Sequence, residues 1–341
     1  MCRIVFLAIV LLTCSSANAQ VTAQQQTADP NYNWKLATLG GTQYWTDVRI
    51  EGGWHVQRNS YFGHFRLVDD SNVRQAWGDK EACNAELEKQ ILAGAVKPTT
   101  GKVVILLHGL LRTWKSMQPL ADHLKSCGYQ PIFFRYASSR EQVGEHAKHL
   151  RSVIDQLPAT VTEINFVGHS LGNIVVRHYL SDCDQSDDFE RDPRIKRMVM
   201  LGPPNQGSRM ARLLKSSAAF KLIGGASGAE LSLGWDVLSQ NLATPEFEFG
   251  IIAGGYGDDK APLNNILLPG ADDFTVSCWE TMLPGADDFL VRHLVHTNMM
   301  RQTEVLDATT LFLKNGYFIS EDRKRPIESL PENPRAIVKH Q

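Results

Sequence analysis

From residue 103 onward, short runs that are apolar at nearly every position alternate with longer stretches whose apolar residues recur every three to four positions. The runs are Val103–Leu107, Ile132–Arg135, Ile164–Val167, Arg197–Leu201, Phe249–Ala253 and Phe289–Val295. A strand apolar on both sides must be covered on both faces, and crossover helices above and below a parallel sheet provide that cover. The stretches Lys115–Ser126, Glu141–Leu157, Leu171–Leu180, Met210–Ile223 and Asn298–Leu313 read as those helices. The expectation is one α/β domain over 96–315, a doubly wound, mainly parallel sheet. Ligands of such sheets sit beyond the carboxyl ends of the strands, so chemistry is sought just after each one.

What precedes this domain has a different texture. Residues 1–19 read as a secretory signal: Arg3, the apolar run Ile4–Leu12, then small residues ending at Ala19. The run is too short for a membrane span, which needs about twenty residues. The expectation is export, secreted or periplasmic, after cleavage near Ala19, with lipidation at Cys14 the weaker reading. Residues 20–95 read as a leader followed by a β-rich extension. In it, Gln43–Ile50, Trp54–Arg58 and His64–Val68 suggest hairpins separated by Gly52-Gly53 and by 60–63, and a helical stretch Asp79–Gly94 follows. Residues 316–341 lack periodicity and read as a loose tail. Leu268–Phe274 recurs as Leu283–Phe289, too few copies for a repeat fold.

With 341 residues, a formal charge of −2 and 21% charged residues, the chain has a core of ample size and no basic excess for nucleic acid. After the signal, Cys83, Cys127, Cys183 and Cys278 remain; spacing leaves both free thiols and disulfides open and disfavours a zinc site. Neither a phosphate-binding loop nor clustered metal ligands are found, so no cofactor is expected.

The chemistry concentrates at Gly168-His169-Ser170-Leu171-Gly172, which follows one apolar strand and leads into a helix. A serine at so tight a strand-to-helix turn is forced into a strained backbone, and small neighbours let strand and helix approach. Its hydroxyl needs a base, and the base needs a carboxylate to orient it. His296, directly after the last strand, is the best base. His169 is expected to point away from the serine, and His146 and His149 to lie on a solvated helix face. Asp287 and Asp288 precede the last strand, about 23 Å from His296 at 3.3 Å per residue, and are excluded. Spacing does not separate Asp258 and Asp259 from Asp272 and Asp273. Backbone N–H groups of Leu171 and of Leu110, after Gly109, suit an oxyanion hole, with His108 bracing that loop. Leu110, Leu111, Trp114 and 136–139 should border the site, favouring an acyl group over a charged one. Met210–Ile223 and the glycine-rich 224–234 suit either a mobile lid or a packed helix with a flexible connector.

The segments VVILLHGL, NFVGHSLGN and LGPPNQGS, with the order Ser, Asp, His, resemble the α/β-hydrolase superfamily, in particular bacterial lipases and esterases, over about 100–315. The resemblance implies an acyl-Ser170 intermediate, His296 as base and Asp273 as acid. In this family the acid stands in an N-D-G-x-V-like sequence, which Ala271–Val276 resembles with Asp273 at the acid and Phe274 where glycine is usual. It further implies an acyl ester or lipid substrate and transient contact with a lipid surface. Thioesterase, lipid deacylase or acyltransferase activity fits the same fold, and a non-catalytic binding module is the reading from another class.

Overall fold

The computed structural model describes residues 36–37, 43–186, 188–214, 218–255, 273 and 275–332. The signal, the leader, Asp258, Asp259, Asp272 and Phe274 lie outside the described residues. The parallel sheet expected from the apolar runs is present and has six strands: β6 (Gly101–Leu107), β7 (Gln130–Phe134), β8 (Val161–His169), β9 (Ile195–Leu201), β10 (Phe249–Gly254) and β11 (Asp288–Arg292), in the order β11-β10-β9-β8-β6-β7 with every pair parallel. The reason is visible within β6, where alternate residues enter two different cores. Val103, Ile105 and Leu107 pack with α3 (Val143–Asp155) and α4 (Leu171–Asp184). Val104 and Leu106 pack with α2 (Gln118–Ser126) and the last helix, Thr303–Asn315. Both faces are dry, so a strand here has no polar side to show.

Ahead of it stands an antiparallel sheet of β1 (Leu36–Ala37), β2 (Trp45–Glu51), β3 (Trp54–Asn59), β4 (Phe65–Val68) and β5 (Val73–Gly78), in the order β1-β5-β4-β3-β2. The three expected strands form, and β5 is an addition, hidden in the sequence by its mixed composition, VRQAWG. One face of this sheet packs on α1 (Lys80–Leu92) through Val56, Leu67, Cys83 and Leu87. Asp47, fully buried on β2, fastens it to the parallel sheet. Its carboxylate accepts from His55 Nδ1 (3.0 Å), Gln57 Nε2 (2.7 Å) and the Arg135 amide (2.7 Å), while the Asp47 amide donates to Arg135 C=O at 2.8 Å.

Two expectations are corrected. The stretch 224–234 is no flexible connector: helix α5 (Ala218–Ser232) runs through most of it with a kink at Gly225. There φ is +59°, and a side chain would collide with Ser139 C=O, whose oxygen lies 1.6 Å from the Cβ position. The helix is fastened to the neighbouring loop by Ala226 N–H to Ser139 C=O (3.1 Å), Ser227 Oγ to Glu141 C=O (2.8 Å) and the Val143 amide to Glu230 Oε2 (2.8 Å). The C-terminal stretch, read as a loose tail, is packed as far as Leu330: Phe318 and Ile327 are buried, Leu330 lies against the core, and Asp288 accepts from the amides of Phe318 (2.7 Å) and Arg325 (3.0 Å). Scattered anchor residues without periodicity gave no sign of this. Cys83, Cys127, Cys183 and Cys278 are free thiols, and burial pushes Cys83 up to about 12.

Candidate active site

At the end of β8, Ser170 adopts φ +53°, ψ −119°, a backbone that costs an L-residue about 1–2 kcal/mol and survives only where its surroundings enforce it. The two glycines permit this turn. A Cβ on Gly168 would stand 2.3 Å from Asn173 Oδ1, and one on Gly172 would stand 2.5 Å from Leu107 C=O of β6. The Ser170 amide donates to Leu201 C=O at 2.9 Å, and Leu171 opens α4 directly behind it.

The carboxylate and the imidazole meet after β10 and β11. Asp273, fully buried, accepts from the amides of Thr275 (3.0 Å) and Val276 (2.7 Å) through Oδ1 and from His296 Nδ1 (2.6 Å) through Oδ2. An aspartate bonding its own backbone two and three residues on closes an Asx-type turn, which makes its side-chain direction part of the loop geometry. The His296 amide also donates to Asp273 C=O at 3.1 Å. Room for the pair comes from glycines: a Cβ on Gly202 would lie 3.0 Å from His296 Nδ1, and one on Gly254 would lie 2.6 Å from Asp273 Cβ. Just beyond Val276, a capping box between Ser277 and Glu280 starts a short helix. The GPPNQGS segment ties to that helix, with Asn205 Nδ2 donating to Thr281 C=O (2.8 Å) and Gln206 Nε2 to Met282 C=O (2.9 Å).

Ser170 and His296 line one cavity of about 220 Å³ together with Leu110, Arg112, Met210, Leu231 and Val276. Behind its rim the loop after β6 is braced as the sequence suggests. His108 Nδ1–H donates to Gly109 C=O at 3.0 Å, its ring stacks on Tyr136 at 4.3 Å, and the Tyr136 hydroxyl donates to His108 C=O. Burial pushes His108 down to about 4, so at neutral pH it is an uncharged brace. Leu111, at φ +58°, turns the chain, and its amide donates to Ser138 Oγ at 3.1 Å. The 136–139 loop thus supports the site from behind.

Sequence reasoning missed several contributors. His169 does not simply turn away: its Nε2–H donates to His296 C=O at 2.9 Å and the two rings lie 4.6 Å apart. Burial first, then the neighbouring His296 and, further down, the Arg112 charge hold its ring well below the usual histidine range. Trp114 belongs elsewhere, stacked against the Arg135 guanidinium at 4.6 Å in a separate cavity. Arg112 takes a place in the wall that was expected to be uncharged. His146 is not on a solvated face: it is wholly buried against the Tyr136 edge, with neither ring nitrogen hydrogen-bonded. Gly202, which opens the Gly-Pro-Pro segment after β9, takes φ +52° and leaves the space that Asp273 and His296 occupy. Among the described residues, no group of three or more metal-ligating side chains is placed to hold a metal, and no helix is long and apolar enough to cross a membrane.

A parallel sheet with a strained serine at a strand-to-helix turn and an Asp–His pair after the last two strands has the architecture of the α/β-hydrolase fold. Residues 104–227 match the family described as "Alpha/beta hydrolase of unknown function (DUF915)". A comparison with curated proteins finds none that matches. Among solved structures, the chain is similar to the Bacillus licheniformis lipase BlEst2 in mature form, with 18% identity over 63% of this chain and 92% of that one and a TM-score of 0.47. It is also similar to the metagenomic carboxyl esterase MGS0156, with 18% identity, 59% and 66% covered and a TM-score of 0.46. Likewise, phospholipase PlaB from Legionella pneumophila shares 18% identity over 54% and 46% of the two chains at a TM-score of 0.40.

Proposed function

We propose that this chain is a serine hydrolase of carboxylic acyl esters, working through an acyl-Ser170 intermediate. The observation that carries the reading is the 2.6 Å bond from His296 Nδ1 to a fully buried Asp273 carboxylate, with the imidazole opening into the same cavity as the strained Ser170. Because Asp273 engages Nδ1–H, the free position of the neutral ring is Nε2, the acceptor that a serine proton requires.

In the proposed sequence, His296 Nε2 takes the Ser170 proton as Oγ attacks the ester carbonyl. The amides of Leu171 and Leu110 stabilise the oxygen that becomes charged, each donor worth about 3 kcal/mol in the transition state. His296 then protonates the departing alcohol, and a water activated by the same imidazole cleaves the acyl-serine. Asp273 remains a carboxylate throughout, holding the tautomer and stabilising the imidazolium. The mostly apolar cavity wall suits an acyl chain. Export is part of the proposal and rests on the pattern of residues 1–19 alone.

A fluorophosphonate probe and a 4-nitrophenyl ester test the reading together. Wild type is expected to label and to hydrolyse, Ser170→Ala to do neither, and His296→Ala to label at least about a hundredfold more slowly. A folded wild type that does neither overturns the proposal.

A further inference from the structure

The cavity contains a charge that the chemistry of Ser170, Asp273 and His296 does not use. Arg112 lines it, and among the described residues no carboxylate pairs with its guanidinium and no acceptor bonds it. Among the described residues no aspartate or glutamate lines the cavity, so Arg112 is the one permanently charged group of its described wall. The rest of that wall is largely apolar, contributed by Leu110, Met210, Leu231 and Val276. A half-buried cation loses hydration in such surroundings, and no described side chain compensates it.

The backbone is built to keep this residue where it is. Leu111 holds a left-handed conformation that a leucine adopts only under constraint. The Arg112 amide donates to Gly109 C=O at 3.1 Å, and Arg112 C=O accepts from Gln43 Nε2 at 3.0 Å, an anchor delivered by the N-terminal sheet region. Gln43 also reaches Ser138 and Ser139, so the loops on either side of Arg112 are fixed by one side chain. Burial first, then His296 and, less, the Arg112 charge hold the His169 ring well below the usual histidine range.

We infer that Arg112 selects substrates: the ester this site takes carries an anionic oxygen group, phosphate or carboxylate, within reach of the guanidinium. This rests on the serine-hydrolase reading and specifies its substrate class. Arginine suits the task because its planar fork binds either anion in a bidentate manner and stays charged at any working pH.

Two pairs of short, soluble esters separate the sources of the anion without any lipid surface. The first pair is 4-nitrophenyl butyrate and the 4-nitrophenyl monoester of glutaric acid, with the charge in the acyl part. The second is 1-butyrylglycerol and its 3-phosphate, with the charge in the alcohol part. In wild type, kcat/KM is expected to favour the charged member of at least one pair by about tenfold or more, the scale of one hydrogen bond to a charged group. Raising salt from about 0.05 to 0.5 M should reduce that preference. Arg112→Met should bring the ratio to about one, mainly through KM, and Arg112→Lys should restore part of it. Equal rates within both pairs, a preference indifferent to salt, or one that survives Arg112→Met would overturn the inference while leaving ester hydrolysis intact. Failure of every ester together with absent fluorophosphonate labelling removes the hydrolase reading and the inference with it.

Discussion

The Nε2–H of His169 donates to the backbone carbonyl of His296 at 2.9 Å, so the residue before the elbow serine holds the segment that carries the Asp273-bonded imidazole. A carbonyl oxygen only accepts, which fixes the proton of His169 on Nε2 and leaves Nδ1 as a buried acceptor without a partner. His296 is thereby restrained by its own amide, its carbonyl and its ring.

Replacing His169 by Phe keeps the bulk and removes the donor, leaving a buried carbonyl unsatisfied at about 1–3 kcal/mol. The expected outcome is a kcat about tenfold lower with KM nearly unchanged and a modest loss of Tm, whereas His169→Gln recovers part of the rate. Steady-state kinetics on a nitrophenyl ester checks this.

Two glycines near the site, Gly172 beside the serine and Gly202 after β9, are predicted to differ in kind. In Gly172→Ala the new methyl meets the backbone of Leu107, which cannot move without disturbing β6, so the variant should lose about 1–3 kcal/mol or more in urea unfolding. In Gly202→Ala the methyl meets the His296 ring and the Asp273 carboxylate, and φ is already +52°. That variant should lose activity at least about a hundredfold while a soluble fold persists.

Buried histidines set the acid limit. Burial pushes His108 down to about 4 and His146 to about 3, while burial and then the Arg58 charge push His149 to about 4. Each is held neutral in the fold yet takes a proton near pH 6.5 once unfolded. Their contribution is therefore fully present above about pH 6.5 and is lost as pH falls toward the folded values, at up to about 1.4 kcal/mol per pH unit for each histidine. Urea midpoints should drop steeply between pH 6.5 and 4.5. His146→Leu, which removes a buried ring whose nitrogens make no hydrogen bond and whose Nδ1 lies 3.8 Å from the Glu141 carboxylate, should flatten that slope and raise the midpoint at pH 5. An unchanged slope would refute the assignment.

How much of this was legible follows from what each signal needs. The parallel sheet was readable because burial on both faces leaves an unbroken apolar mark, and the serine turn because its two glycines stand at a fixed spacing on either side of the serine, directly after such a strand. His296 could be placed by its strand. Asp273 was reached by resemblance, since a carboxylate in a long loop has no periodic signature, and what fixes it, the amides of Thr275 and Val276, is local geometry. His169, Arg112 and Gln43 act across about 70 to 130 positions of sequence, beyond any spacing rule. His146 misled because a histidine with i, i+3 spacing reads as solvated unless the packing partner, Tyr136, is known.

The choice of acid is open to direct test. Asp273→Ala should lower kcat about 10³–10⁴-fold, the cost of losing the group that orients the imidazole. Asp258→Ala and Asp259→Ala should stay within about threefold of wild type. The reverse pattern would place the acid elsewhere.

The most direct measurement is the pre-steady-state release of nitrophenol from a 4-nitrophenyl ester. An acyl-Ser170 intermediate predicts a burst approaching one equivalent per active chain, with the acyl mass recovered on the peptide containing residue 170 and both signals absent in Ser170→Ala. Turnover that persists unchanged in Ser170→Ala would contradict the account.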